Sequence, residues 1–291
     1  MFDVHVIFTR QLSTENRKLV LMNNQLFRSD TLSAESIKEG LQTSCFGQEV
    51  LYLPSTSSTN RVAKEAAQKG MQEGTLIITN HQTEGRGRFD RTWWSSPGKD
   101  LLFSLIFRPP LKASQTFRLT LLSSLAVAEA IRQETGLDAL IKWPNDVYIK
   151  GKKVSGILSE SGIHNEHLEY MIVGIGINVN STPSRNPEIE ERATSISMES
   201  GKNFPRITLL TVILELIESY YRGIQKGDFH SLKKRWDTLS LINHKKVMVE
   251  TQGCMHEGTA ESIDEDGFLV LLDHTGTKRR IVSGDVSLSL L

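Results

Sequence analysis

Leu140-Ile141-Lys142-Trp143-Pro144-Asn145-Asp146-Val147-Tyr148-Ile149-Lys150-Gly151-Lys152-Lys153-Val154-Ser155-Gly156-Ile157-Leu158-Ser159-Glu160 is the stretch on which the fold turns. It holds three strand candidates in close succession, Leu140–Trp143, Val147–Ile149 and Val154–Glu160. Lys150-Gly151-Lys152 joins the second to the third and reads as a hairpin turn. On the N-terminal side, Leu101–Phe107 is a continuous apolar strand closed by Pro109-Pro110. Between the two, Gln115–Thr135 is the longest helical pattern, capped by Ser114 and stopped by Gly136. On the C-terminal side, Tyr170–Val179 is another apolar strand, interrupted by Gly174 and Gly176. Hairpin strands are mixed with helices, and no regular strand–helix alternation appears. The expected class is α+β with a mixed or antiparallel sheet rather than a doubly wound fold.

Further out, Leu32–Leu41 reads as a short helix with Ser33 as N-cap and Glu35 in its first turn. Glu49–Leu53 is a short strand, and the run Ser55-Thr56-Ser57-Ser58-Thr59 can cap the helix predicted over Asn60–Lys69. Thr75–Thr79 is a buried-looking strand, followed by a long loop, His81–Lys99, rich in glycine and arginine and holding Trp93 and Trp94. A later helix carries Leu209, Ile213, Leu216, Ile217 and Tyr220 on one face, and Phe229–Leu239 predicts one more. From Lys246 the texture changes to short alternating runs, Val247–Glu250, His256–Ile263, Phe268–Leu272 and Lys278–Val282, which suggest a small barrel of its own. The expected division is an N-terminal segment over 1–44, a large central domain over 45–242 and a small β domain over 243–291.

Composition narrows the function classes. The chain has 291 residues, 38% hydrophobic and 23% charged, which is globular rather than disordered. Lys+Arg and Asp+Glu are both 34, a net charge of zero that argues against a whole-chain polyanion binder. No stretch approaches the run of about eighteen apolar residues that a membrane span needs, and Met1–Arg10 shows no signal-peptide pattern. A cytoplasmic protein is expected, with Cys45 and Cys254 as free thiols. His164-x-x-His167 falls in the polar stretch Ser161–Glu169, read as a solvated hairpin loop rather than a zinc site.

Gly85-Arg86-Gly87-Arg88-Phe89-Asp90-Arg91 is the most informative chemistry in the chain. Glycines let backbone N–H groups approach a ligand, and interleaved arginines supply planar donors for carboxylate and phosphate oxygens. The pattern describes an anion cradle, against the plainer alternative of a solvated charged turn. Trp93-Trp94 weakens that alternative, because adjacent indoles are costly to expose and one could cover a flat ring. In Lys142-Trp143-Pro144-Asn145-Asp146, Asp146 either helps hold magnesium beside phosphates or caps the turn. Lys153 can neutralise two anions that must approach each other, while Gly156 admits close ligand approach. Gly174-x-Gly176-x-Asn178 leaves room on one strand face.

These pieces, in this order, resemble the biotin protein ligase family: Ser58-Thr59-Asn60, Gln82 with Gly85-Arg86-Gly87-Arg88, Trp93, Lys142 to Asp146, Lys153 with Gly156, and Gly174-x-Gly176-x-Asn178. The resemblance covers about residues 31–291. It implies a catalytic core like that of class II aminoacyl-tRNA synthetases, with an SH3-like C-terminal β-barrel. It implies ATP and biotin as substrates, Mg2+, and a biotin carboxyl carrier protein, such as an acetyl-CoA carboxylase subunit, as acceptor. Ser58, Thr59, Asn60 and Gln82 would line or flank the biotin pocket, with Arg86, Arg88, Lys153 and Gly156 beside it. Gly85, Gly87, Arg88, Arg91, Trp93 and Asn178 would serve the adenylate, and Lys153 and Arg86 would be catalytic.

Two features depart from the family pattern. Asp90 stands where the family loop usually has glycine, and it would either repel the intermediate or pair with Arg91. Some members carry an N-terminal winged helix-turn-helix, but here only Leu32–Leu41 resembles the end of such a region, so DNA is not an expected partner. A homodimer through an edge strand is compatible with the pattern. The rival readings are a lipoate or octanoate ligase or transferase, a biotin-sensing regulator, and a catalytically dead biotin-binding paralogue.

Overall fold

The hairpin stretch forms three consecutive antiparallel strands, β4 (Ala139–Lys142), β5 (Asp146–Ile149) and β6 (Lys152–His164). The structure, a computed structural model, describes residues 31–164, 167–183 and 192–288; expectations for residues 1–30 lie outside it. β1 (Val50–Leu53), β2 (Leu76–Thr79), β3 (Leu101–Phe107) and β7 (His167–Ile177) complete a seven-stranded sheet in the order β1-β2-β3-β7-β6-β5-β4. Only β1 and β2 pair in parallel; every other neighbour in this sheet is antiparallel. The mixed sheet is the one expected.

Strand periodicity assigns the two faces. Leu76, Ile78, Leu105, Phe107, Met171, Val173, Ile175 and Ile177 point to the main core, which is completed by α3 (Phe117–Thr135), α5 (Arg206–Gln225) and α6 (Phe229–Thr238). The alternate residues Ile77, Ile106, Tyr170 and Ile172 meet Ala63, Ala66 and Ala67 of α2 (Thr59–Gln68) on the opposite face. Small alanines let α2 lie close to the sheet. Gly174, Gly176 and Ser104 share the α2 face by the same period.

The remaining helices are α1 (Ala34–Lys38) and α4 (Ile196–Ser200). α1 starts at Ser33, whose side chain accepts from the Ser36 N–H while the Ser36 hydroxyl serves the N-cap backbone. Leu32 and Ile37 are buried in the main core, so this turn of helix is packed rather than loose. The segment after it is tied down by Glu218 of α5, whose carboxylate accepts from the backbone N–H groups of Ser44, Cys45 and Phe46. The Phe46 ring sits against Phe107 and Tyr221 at centroid distances of 4.8 and 5.5 Å.

The C-terminal part is a five-stranded antiparallel sheet in the order β11-β10-β9-β8-β12. Its strands are β8 (Lys246–Thr251), β9 (Cys254–Ile263), β10 (Leu269–Leu272), β11 (Lys278–Ile281) and β12 (Asp285–Leu288). Its β9–β10 turn is clamped to the start of α3 and to the β4–β5 turn. Phe268 stacks on Phe117 at 5.4 Å, and the Trp143 indole N–H donates to the Gly267 carbonyl at 3.2 Å.

Two expectations are corrected, and one strand is added. Helix α3 begins after Thr116, and Ser114 lies in a preceding 3-10 turn (Ala113–Gln115) instead of capping it. Most of Ser161–Glu169 is strand, because β6 and β7 continue past the core as a polar two-stranded ribbon. Gly162 gives way there to the Tyr170 ring, which occupies the place of a side chain. Finally, β12 is a strand that the sequence pattern did not announce.

Candidate active site

Three glycines pave the α2 face of the central strands. Gly156 of β6 stands opposite Gly176 of β7, and Gly174 stands opposite Leu158 of β6 and Ser104 of β3. The gaps are filled by particular side chains. A Cβ on Gly176 would come within 2.6 Å of the Trp93 ring, and one on Gly156 within 3.1 Å of both Trp93 and the Lys153 side chain. The Asn60 amide occupies the space over Gly174. The floor is therefore shaped for groups lying flat on the sheet. With Trp93 lying on it, the Trp93 indole N–H is buried and has no hydrogen-bond partner.

At one end of this floor sits the first turn of α2. Gln82 Oε1 accepts from the Thr59 backbone N–H at 2.8 Å and from its hydroxyl at 3.2 Å. Gln82 thus supplies the helix start, while the side chain of Ser58, the N-cap, makes no capping bond. The buried Ser104 hydroxyl lies 2.7 Å from both Thr59 Oγ1 and Asn60 Oδ1. Asn60 Nδ2 donates to Glu160 Oε2 at 2.6 Å and to the Leu158 carbonyl at 3.2 Å. Both amide hydrogens of Asn60 are therefore spent within the protein, so it can flank a ligand but has no donor left for one. Ser104 and Glu160 were not singled out by sequence reasoning; each lies in a strand run and shows no local signal.

The other side is the Gly85–Arg91 loop, a small hairpin. The Trp93 N–H donates to the Gly85 carbonyl at 2.9 Å, and the Gly87 N–H donates to the Arg91 carbonyl at 2.7 Å. Gly85 is obligatory, because a Cβ would collide with the Trp93 carbonyl. Phe89 and Asp90 at the tip both have φ of 54°. That left-handed backbone is a physical reason for a glycine at the Asp90 position. Asp90 does not pair with Arg91. Arg91 instead forms an ion pair with Asp285 of β12. Arg88 donates to Asn145 Oδ1 at 3.0 Å, to Ser283 Oγ at 3.3 Å and to the Gly284 carbonyl at 3.4 Å. The C-terminal sheet thereby holds two of the three loop arginines. Burial lowers the Arg88 pKa, though an arginine remains charged. Arg86 is exposed, and its side chain makes no hydrogen bond or ion pair among the described residues.

Lys153 is brought to the floor by the start of β6. Its Nζ is 2.7 Å from Asp146 Oδ1 and 5.7 Å from the Trp93 ring centre. Asp146, read as a magnesium contact or a turn cap, is here the partner of Lys153. Asn178 is buried, and its amide donates to the Thr194 carbonyl at 3.0 Å. The structure thus gathers Thr59, Asn60 and Gln82 at one end and Arg88, Lys153, Asp146 and Trp93 at the other.

Two comparisons decide the family. The model for the biotin/lipoate A/B protein ligase family matches residues 52–178, and that for the biotin protein ligase C-terminal domain matches residues 246–289. The bifunctional ligase/repressor BirA of Bacillus subtilis is 38% identical over 258 residues, covering 88% of this chain and 79% of that protein. The chain belongs to the biotin protein ligase family.

Within that family, the biotin–[acetyl-CoA-carboxylase] ligase of Paracoccus denitrificans is 28% identical and 94% covered. The biotin protein ligase from Aquifex aeolicus, solved in complex with biotin and ATP, superposes with a TM-score of 0.72 at 30% identity. That comparison covers 83% of this chain and 99% of the Aquifex chain. For a biotin protein ligase, the contacts of Arg88 with Ser283 and Gly284 and of Arg91 with Asp285 matter because they join the two matched regions at the Gly85–Arg91 loop. Sequence reasoning missed Asp285, since Asp285-Val286-Ser287-Leu288 is too short an alternation to register as a strand.

Proposed function

We propose that this biotin protein ligase forms biotinyl-5'-AMP from biotin and ATP. The biotinyl group then passes to a lysine of a biotin carboxyl carrier protein, as on an acetyl-CoA carboxylase subunit. The observation that carries the reading is the pairing of a glycine-paved floor with Lys153, Arg88 and Arg91 at its edge. A flat ring and a cluster of anions can share such a site. Matches to two sources named for biotin, the C-terminal domain model and the Paracoccus relative, favour biotin over lipoate or octanoate.

In the first half-reaction the biotin carboxylate attacks the α-phosphorus of Mg-ATP, forming the mixed anhydride and releasing pyrophosphate. No protein nucleophile is needed. Lys153 exchanges its Asp146 partner for the approaching carboxylate and α-phosphate, reducing the repulsion between them. Arg86, with no partner to give up, supplies a second donor group, while Gly85, Gly87, Arg88 and Arg91 shape the loop that covers the adenylate. Trp93 leaves the Gly176 floor and packs beside the adenine; Asn178 lies at that end. Ser58, Thr59 and Gln82 line the biotin end, with Asn60 flanking and Gly156 beneath. In the second half-reaction the acceptor lysine attacks the anhydride carbonyl and AMP leaves. A closed loop excludes water and protects the anhydride.

Magnesium enters as part of Mg-ATP. The ion would be carried by the phosphates, with Asp146 as one protein ligand. The domain division at 44/45 and 242/243, a cytoplasmic location and a homodimer formed along the outermost strand β1 belong to the same proposal. The test is transfer of radiolabelled biotin to a purified carrier domain. Labelling with ATP and magnesium supports the reading. Labelling of a lipoyl domain with lipoate instead would favour the rival.

A further inference from the structure

Lys142 closes β4 next to the site, and none of the roles above uses it. Its place is fixed by its neighbour in the chain. Trp143 is fully buried and its N–H is held by the Gly267 carbonyl, so the Lys142 backbone cannot drift. In the β4–β5 register Lys142 is the partner of Asp146. Yet the Asp146 carboxylate is given to Lys153, not to Lys142. Among the described residues Lys142 forms no ion pair. Its ammonium lies 3.4 Å from the Tyr148 hydroxyl and 5.2 Å from that ring.

A half-buried ammonium with only a phenol beside it is an unfinished arrangement. Burial lowers the Lys142 pKa, and nearby Lys153 and Arg91 act in the same direction against Asp146 and Asp285. The local charge balance points the same way. Lys142, Lys153, Arg88 and Arg91 bring four positive charges to this edge, while Asp146 and Asp285 bring two negative ones. The site lacks a polyanion. One carboxylate and one α-phosphate suit Lys153 and Arg86, so the leftover cation belongs to more distant phosphate oxygens.

We propose that Lys142 is a phosphate-binding residue for the β- and γ-phosphates of ATP, and for the pyrophosphate they become. The assignment rests on the adenylation reading and extends it to the leaving group. Breakage of the α–β bridging P–O bond puts the electron pair on the pyrophosphate oxygen. Lys142 meets that growing charge with N–H donors that have no anion to release first, whereas Lys153 must first release Asp146. Tyr148 fixes the direction of the ammonium.

The test is calorimetric binding of inorganic pyrophosphate with magnesium to wild type, K142Q and K142R, beside biotin binding and biotin-dependent exchange. Loss of one charge-assisted contact predicts about tenfold or more weaker pyrophosphate binding and a similarly raised KM for ATP in K142Q. Biotin affinity should stay unchanged, and K142R should recover most of the loss. Equal pyrophosphate affinity in wild type and folded K142Q would overturn the assignment. Because pyrophosphate binding is read directly, wild type that binds pyrophosphate but does not adenylate biotin refutes the enzyme reading while still testing Lys142. Weakened biotin binding in both variants would show a structural role instead.

Discussion

Asp146 Oδ1 stands 2.7 Å from the Nζ of Lys153, so the cation that faces the glycine floor already holds a carboxylate from the adjacent strand. A ligand anion must compete with that carboxylate. Asp146→Asn removes the competitor and leaves Lys153 and Lys142 uncompensated. Biotin should then bind about two- to tenfold tighter at low salt, while Mg-ATP, which loses Asp146 as a magnesium ligand, should not gain, with a loss of about 1 kcal/mol of stability from the bared charges. Calorimetric titration and thermal melting measure the two effects. Weaker biotin binding would mean that Asp146 supports biotin directly.

Gly174→Ala tests the floor from the other end. The Asn60 amide fills the space a Cβ needs, and it is held there by Ser104, Glu160 and the Leu158 carbonyl. The substitution must break at least part of that buried network, at about 2–3 kcal/mol. Because Thr59 and Gln82 share the network, biotin affinity should fall with stability. A variant as stable as wild type, with biotin affinity unchanged, would show that the Asn60 amide moves freely.

Asp285→Asn unties Arg91 from the C-terminal sheet. Both groups are at least one-third exposed, so the ion pair itself contributes less than about 1 kcal/mol to stability. Melting should hardly change. The loop, however, loses a tether, and the fraction of biotinyl adenylate released unreacted should rise severalfold. Filter-retention of labelled adenylate reads this. No change in release would leave Arg88, with its contacts to Ser283 and Gly284, as the tether that matters.

Glu218 makes part of the stability pH-dependent. Burial acts to raise its pKa, but the N–H groups of Ser44, Cys45 and Phe46 outweigh burial and hold it below the ordinary value of 4.5. A depressed carboxylate contributes stability that is present above 4.5 and is lost as pH falls through the folded value. Glu218→Gln should therefore destabilise by about 1–3 kcal/mol at neutral pH and progressively less below 4.5. Urea melts across that range check it. An equal penalty at every pH would assign the effect to lost packing.

Much of the architecture is legible in the chain itself. Leu101–Phe107 is one unbroken apolar run flanked by turn residues, and it is a strand over those same residues. Gly136 ends α3 in the left-handed conformation its position suggested. The loop glycines and arginines suggested an anion cradle because their chemistry is local. What stayed hidden depends on partners far away in sequence. Arg91 and Asp285 are 194 residues apart, and Asn60 and Glu160 are 100 apart. Asp146 was ambiguous because a turn cap, a metal ligand and a lysine partner use the same carboxylate. The β6–β7 ribbon read as loop because its polar residues carry no burial pattern beyond the core.

The central claim is tested most directly by biotin-dependent exchange of pyrophosphate into ATP, with lipoate and octanoate as controls and K153A beside wild type. Wild type should exchange with biotin alone, and K153A should lose exchange while keeping its fold. Absence of exchange from folded wild type with biotin and magnesium, or undiminished exchange in K153A, would contradict the account.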